Sequence, residues 1–192
     1  MVRSVCVAYW KRISSNRVSV VMYLPTIHLL YYHYPRTGGT TIQKVLEQLF
    51  PPQLYGYGHK WNYPEIQEQT FNVVSIRHPL ERIVSCYQHS NLVHKHFCSF
   101  TRWLERRFTN PFALWFPDIR FDYFIRYEYL EEDLSKLCQR YNKECENIPH
   151  YNRTANKVDW RVFYNSSNYH LAYRQIPDLL KQKYNIGEND YD

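Results

Sequence analysis

Apolar residues along this chain form short continuous runs that alternate with stripes at helical spacing, and the alternation predicts its elements. Ile27-His28-Leu29-Leu30-Tyr31-Tyr32-His33 is a largely apolar, aromatic run stopped by Pro35, as in a buried strand. From Thr40 to Phe50 the apolar positions Ile42, Val45, Leu46 and Leu49 trace one helix face, ended by Pro51-Pro52. Gln53 to Gln69, rich in Tyr, Gly and Pro, reads as a loop. Phe71 to Ile76 predicts a second strand, and Pro79 stands at the first turn of a helix reaching to about Asn91. Phe100 to Phe108 reads as a basic helix, Phe121 to Tyr127 as a third strand, and Leu130 to Tyr141 as another helix. Ile148 to Asp192 is expected to hold a loop and one helix near Pro177 to Tyr184. Strands alternating with helices predict an α/β layer fold with a mainly parallel sheet. Residues 1–26 carry no motif and read as an N-terminal extension or accessory strand, with the main domain over 27–192.

Composition narrows the class. At 192 residues and 44% apolar content, with 18% aromatics, the chain is long and greasy enough for one ordinary core, which argues against disorder. The nineteen tyrosines are expected in half-buried packing rather than on a stacking surface. The net charge of +6 is uneven: residues 1–100 hold ten Lys/Arg against four Asp/Glu, and residues 101–192 hold fourteen of each. The positive half is thus the one that needs an anionic partner, if either does. Nucleic acid is not the expected partner, since no dense basic run, helix-turn-helix pattern or zinc-finger spacing occurs. The most apolar stretch, Val18 to Leu30, is broken by Pro25 and His28 and falls short of a membrane span. Arg12 and Arg17 interrupt any signal-peptide layout, so the reading is a soluble chain, cytoplasmic, or Golgi-luminal if cropped from a longer enzyme. Five cysteines without a CxxC pair are read as mostly buried thiols, with a Cys138–Cys145 bridge open in an oxidising compartment. His94, His96 and Cys98 are poorly spaced as ligands on one helix face, and no metal is expected.

Two segments carry the chemistry. Tyr34-Pro35-Arg36-Thr37-Gly38-Gly39-Thr40-Thr41 lies between the first strand and the first helix. Its glycines let the main chain turn tightly and bring N–H groups at a helix start towards an anion. Thr40 and Thr41 add hydroxyls and Arg36 a fixed charge. A Gly-Gly pair alone equally suits an ordinary strand–turn–helix corner. The segment is not a Walker A loop, because no lysine follows the second glycine, so magnesium-dependent NTP hydrolysis is disfavoured. The second segment, Arg77-His78-Pro79-Leu80-Glu81-Arg82-Ile83-Val84-Ser85, places Arg77 at a strand end and Ser85 two turns into the next helix. That spacing suits one phosphate. Arg82 is the weaker partner, since a solvated helix face would account for it as well.

The two segments resemble those of sulfotransferases, closest to the carbohydrate branch that acts on heparan and chondroitin. Pro35 to Thr41 is similar to that family's loop for the 5′-phosphosulfate of 3′-phosphoadenylyl sulfate (PAPS), and Arg77 to Ser85 to its RxPxxRxxS element for the 3′-phosphate. Phe121-Asp122-Tyr123-Phe124-Ile125-Arg126-Tyr127-Glu128-Tyr129-Leu130 and Ile148-Pro149-His150-Tyr151-Asn152 resemble later family segments more loosely. The resemblance implies a three-layer, P-loop-like fold with the parallel sheet flanked by helices. It also implies an enzyme that uses PAPS as co-substrate, needs no metal, and sulfates a hydroxyl, expected to be on a glycan. Arg36, Thr37, Gly38, Gly39, Thr40, Thr41, Arg77 and Ser85 would bind the donor. Arg36, where the family often has lysine, supplies charge but no proton. The Gly58-His59 step falls where the branch keeps its catalytic histidine, which makes His59 the candidate base and Glu65 the runner-up. Arg102, Arg106 and Arg107 either line a path for an anionic polysaccharide or form a solvated helix face. The rival readings are a P-loop-like nucleotide kinase and a nucleotide-binding module without catalysis.

Overall fold

Pro25 opens a tight turn over Pro25–Ile27 that ends on His28 in the left-handed conformation (φ 48). This turn joins β1 (Val21–Leu24) to β2 (Leu29–Tyr32) as an antiparallel hairpin, with Leu24 opposite Leu29 and Val21 opposite Tyr32. The computed structural model describes residues 21–50, 70–94, 98–107, 120–145, 148–149 and 158–190. The strand expected over 27–33 is shorter because the turn and the left-handed His28 consume its start. β1 falls in the stretch read as an extension or accessory strand.

From β2 the chain turns into α1 (Gly39–Leu49) and returns as β3 (Phe71–Ile76), parallel to β2 with Tyr31 opposite Val73. β4 (Tyr123–Arg126) adds in parallel to β3, giving a four-stranded open sheet in the order β1-β2-β3-β4. The architecture is α/β, mostly parallel, with flanking helices. Both faces of β2 are buried, which is why it reads as a continuous apolar run rather than an alternating one. α4 (Leu130–Arg140) follows β4 after a 3-10 turn at Tyr127–Tyr129. Its Leu130, Leu134 and Leu137 share a core with Ile42, Val45 and Leu46 of α1 and with Tyr31, Val73 and Ile125 of the sheet. Asp133 ties the end of β4 to α4: it accepts from the Arg126 backbone N–H (2.8 Å), Nε (2.8 Å) and Nη2 (2.7 Å). Burial alone would raise the Asp133 carboxyl, but the Arg126 hydrogen bonds win and hold it below its ordinary value.

The chain forms two compact units, 1–76 with 118–149, and 77–117 with 150–192. The second contains α2 (Pro79–His94), α3 (Phe100–Arg107), α5 (Ser166–Tyr173) and α6 (Asp178–Tyr184), with a 3-10 turn at Trp160–Phe163. Tyr87, Phe100, Trp103, Phe163 and Tyr164 pack here edge-on or stacked. α5 lies where only a loop was expected. A reciprocal cap between Asn165 and Asn168 starts it, and Tyr169 and Ala172 are buried beneath. Cys138 and Cys145 are both free thiols, hydrogen-bonded to each other, and burial pushes Cys138 up to about 12. Among the described residues no helix is long and apolar enough to cross a membrane.

Candidate functional site

The first segment forms the corner between β2 and α1. Two of its residues are left-handed, Arg36 (φ 69) and Gly38 (φ 79). Gly38 is the N-cap of α1: its carbonyl accepts from the N–H of Thr41 (3.0 Å) and of Ile42 (3.2 Å). Glycine has no side chain to cap the helix, and no acidic residue lies in the first turn. The positive end of the helix dipole is therefore not offset by a carboxylate of the helix itself. Pro35 and Thr40 are exposed at this end, Arg36 and Gly38 partly so, whereas Tyr34, Thr37, Gly39 and Thr41 are buried. Chemically the corner offers helix N–H groups, one guanidinium and one exposed hydroxyl, a donor set suited to an oxyanion.

The fold itself accounts for both glycines. A Cβ at Gly38, already strained by its φ, would stand 3.0 Å from Cδ2 of Tyr127. A Cβ at Gly39 would lie only 1.7 Å from Cδ2 and 2.0 Å from Nε2 of His33. The glycine pair is thus a packing requirement, and the case for anion binding rests on Arg36 and the uncapped helix start.

His33 is the residue the sequence reading passed over. Its ring lies parallel to that of Tyr31 (interplanar angle 6°, centroids 6.3 Å apart) and presses against Gly39. Its Nδ1 is buried with no hydrogen-bond partner among the described residues. Burial pushes its pKa down to about 4, so it is neutral near pH 7 and leaves Arg36 as the charge of the corner. A lone histidine after an apolar strand gives no sequence signal of this packing.

Thr37 does not point its hydroxyl outward. Its Oγ1 donates to the Tyr34 carbonyl (2.7 Å) and contacts Ser75 Oγ (2.7 Å), all within the protein.

The second segment belongs to the other compact unit. His78 caps α2, accepting the Arg82 N–H at 2.9 Å, so Pro79 occupies the first helical position, as its fixed φ favours. Arg77 Nη2 pairs with Glu81 Oε1 at 2.9 Å, both side chains nearly buried at 10% and 6% exposure. Arg82 is 3% and Ser85 6% exposed. Glu81, Arg82 and Ser85 form a buried polar stripe on a helix, which is the informative kind of burial. Of the two alternatives for Arg82, the solvated face is not the one observed: the residue is enclosed. His78 stacks on Trp160 (4.7 Å) and meets Tyr184 edge-on (5.3 Å), while Tyr164 donates to the Leu80 carbonyl at 2.9 Å. These contacts fix the first turn of α2, which carries the stripe.

His59 and Glu65, the candidate bases, lie outside the described residues, as do residues 95–97 and 150–152. Arg102 is exposed; the side chains of Arg106 and Arg107 are outside the description. Among the described residues no group of three or more His, Cys, Asp or Glu could hold a metal ion. Compared with protein-family models, with curated proteins and with solved structures, the chain matches none.

The two half-buried histidines, His33 and His78, predict a pH dependence. Burial lowers His78, like His33, to about 4, with Glu81 raising it and Arg161 lowering it further as smaller effects. The unfolded chain, with histidines near 6.5, binds more protons than the fold between these values. Stability from this source is therefore complete above about pH 6.5 and is lost as the pH falls towards 4, at up to about 1.4 kcal/mol per pH unit for each group. Urea midpoints should drop between pH 7 and pH 4.5. A flat profile over that range would show that neither ring is held neutral.

Proposed function

We propose that the chain is a PAPS-dependent sulfotransferase of P-loop-like, three-layer type, moving a sulfuryl group to a carbohydrate hydroxyl. The observation that carries this reading is the uncapped, acid-free start of α1 with Arg36 beside it; a second arginine-and-serine segment follows later in the sequence. The corner is assigned the 5′-phosphosulfate end of the donor, and Arg77 with Ser85 the 3′-phosphate. Arg82, buried on the same helix, joins that second set. Gly38 and Gly39 serve by letting the corner form rather than by touching the donor, and Thr37 serves from beneath.

In the reaction the bond from sulfur to the bridging phosphate oxygen breaks and a bond from sulfur to the acceptor oxygen forms. Adenosine 3′,5′-bisphosphate (PAP) leaves, and the acceptor proton passes to a base, for which His59 is the candidate and Glu65 the second. Such group transfers depend on alignment and on charge stabilisation at the leaving oxygen. Arg36 and the helix N–H groups are suited to that work. The proposed donor chemistry needs no metal.

The test is transfer from isotope-labelled PAPS across a panel of glycans, run beside ATP and magnesium. Labelled sulfate ester with PAPS is the expected product. Phosphorylated product with ATP would favour the kinase reading, and PAP binding without transfer would favour a non-catalytic module.

A further inference from the structure

Beneath the corner runs a buried chain of hydroxyls. Tyr31 Oη donates to Ser75 Oγ at 2.9 Å, Ser75 Oγ and Thr37 Oγ1 are 2.7 Å apart, and Thr37 Oγ1 donates to the Tyr34 carbonyl at 2.7 Å. Tyr31, Thr37 and Ser75 are 1%, 1% and 0% exposed, so no ligand reaches them. Each hydroxyl has one proton to give. Thr37 spends its own on Tyr34, so Ser75 must donate to Thr37 and Tyr31 to Ser75. The direction is therefore fixed along the whole relay, and bonds aligned this way polarise one another. Burial raises the Tyr31 phenol above its ordinary range, partly offset by Ser75, which keeps it a donor at any ordinary pH.

The relay starts on β2, crosses to β3 and ends at the carbonyl of residue 34, where the turn begins. Two residues on, Arg36 stands at φ 69, a conformation that costs a residue with a Cβ roughly 1–2 kcal/mol. Such a conformation persists only where its surroundings over-determine it. We infer that Tyr31 and Ser75 are positioning residues for the anion-binding corner: acting through Thr37, they hold the turn that sets Arg36 and the start of α1. The ligand-binding part of this inference rests on the sulfotransferase reading; the positioning part does not.

The experiment uses Tyr31→Phe and Ser75→Ala, which remove relay hydroxyls that cannot touch a ligand, with Thr37→Ser as the variant that keeps one. Amide hydrogen exchange is followed without ligand, and PAP affinity is measured by calorimetry. Expected for the first two variants is exchange about three- to tenfold faster at residues 36–41, the worth of one buried hydrogen bond, with Val73 and Ile125 amides unchanged. PAP affinity should fall by a similar factor, while Thr37→Ser behaves as wild type on both measures. Unchanged exchange at the corner would overturn the inference, and so would equal acceleration in the sheet, which marks a merely structural role. Faster corner exchange with wild-type PAP affinity would overturn it as well. If wild-type protein itself ignores PAP, the sulfotransferase reading fails, and exchange alone then decides whether the relay sets the turn.

Discussion

Replacing His59 by alanine should lower sulfuryl transfer by about 10²–10⁴, the usual worth of a positioned general base, while PAP affinity stays within about twofold of wild type. The split follows from the roles assigned. In those roles the base would meet only the acceptor proton, whereas the donor would be held by arginines, hydroxyls and main-chain N–H groups elsewhere in the chain. The same reasoning ranks Glu65 second, so Glu65→Gln should leave most activity intact. Single-turnover transfer with saturating PAPS checks both variants. Wild-type turnover in His59→Ala would remove that residue from the mechanism, and loss in Glu65→Gln instead would hand the role to the carboxylate.

Arg36 should come next in size. Removing a charge-stabilising donor from a leaving oxygen costs about 10²–10³ in turnover, and Arg36→Ala is expected to lose that much. Alanine at φ 69 keeps the backbone strain, so a fold defect could be mistaken for lost chemistry. Arg36→Gly separates the two. Glycine relieves roughly 1–2 kcal/mol of left-handed strain and gives back about 0.5–1 kcal/mol in unfolded-state entropy, so its net effect on stability runs from neutral to a gain of about 1.5 kcal/mol. A glycine variant that unfolds no earlier in urea yet transfers as poorly as the alanine variant is the expected result. One that transfers normally would mean that Arg36 is a surface charge beside an ordinary corner.

Much of the framework was legible because local signals agreed with the tertiary outcome. β3 begins and ends where its apolar run does, and Pro79 sits at the first helical position its geometry suits. α1 carries the predicted stripe of Ile42, Val45 and Leu46 into the core. α5 escaped because its sequence, Ser-Ser-Asn-Tyr-His-Leu-Ala-Tyr, has little amphipathic pattern; it owes its start to a cap made by two asparagines. The site was legible only in part. Residue types at the corner led to the expectation of an anion, but which hydroxyls are exposed there depends on contacts between residues far apart in sequence. Thr37 and Thr41 read alike with Thr40, yet only Thr40 is exposed. For Arg82 the sequence left a solvated face open, because helical spacing does not reveal that its face lies inside. The packing of His33 on Gly39 has no local signature at all, since it joins a strand end to a helix start across the turn. The division into two discontinuous units was equally hidden, as it depends on which distant segments pack together.

The claim that one donor is gripped through separate phosphates is tested most directly by calorimetry with PAP and with AMP, which lacks the 3′-phosphate. Arg77→Ala is best combined with Glu81→Gln, so that the carboxylate paired with Arg77 is neutralised along with it. This double variant should bind PAP about 10- to 100-fold more weakly, the worth of a charge-assisted hydrogen bond, and bind AMP as wild type does. Arg36→Ala should weaken both nucleotides. Equal losses for PAP and AMP in the double variant, or no loss for either, would contradict the assignment of the two ends.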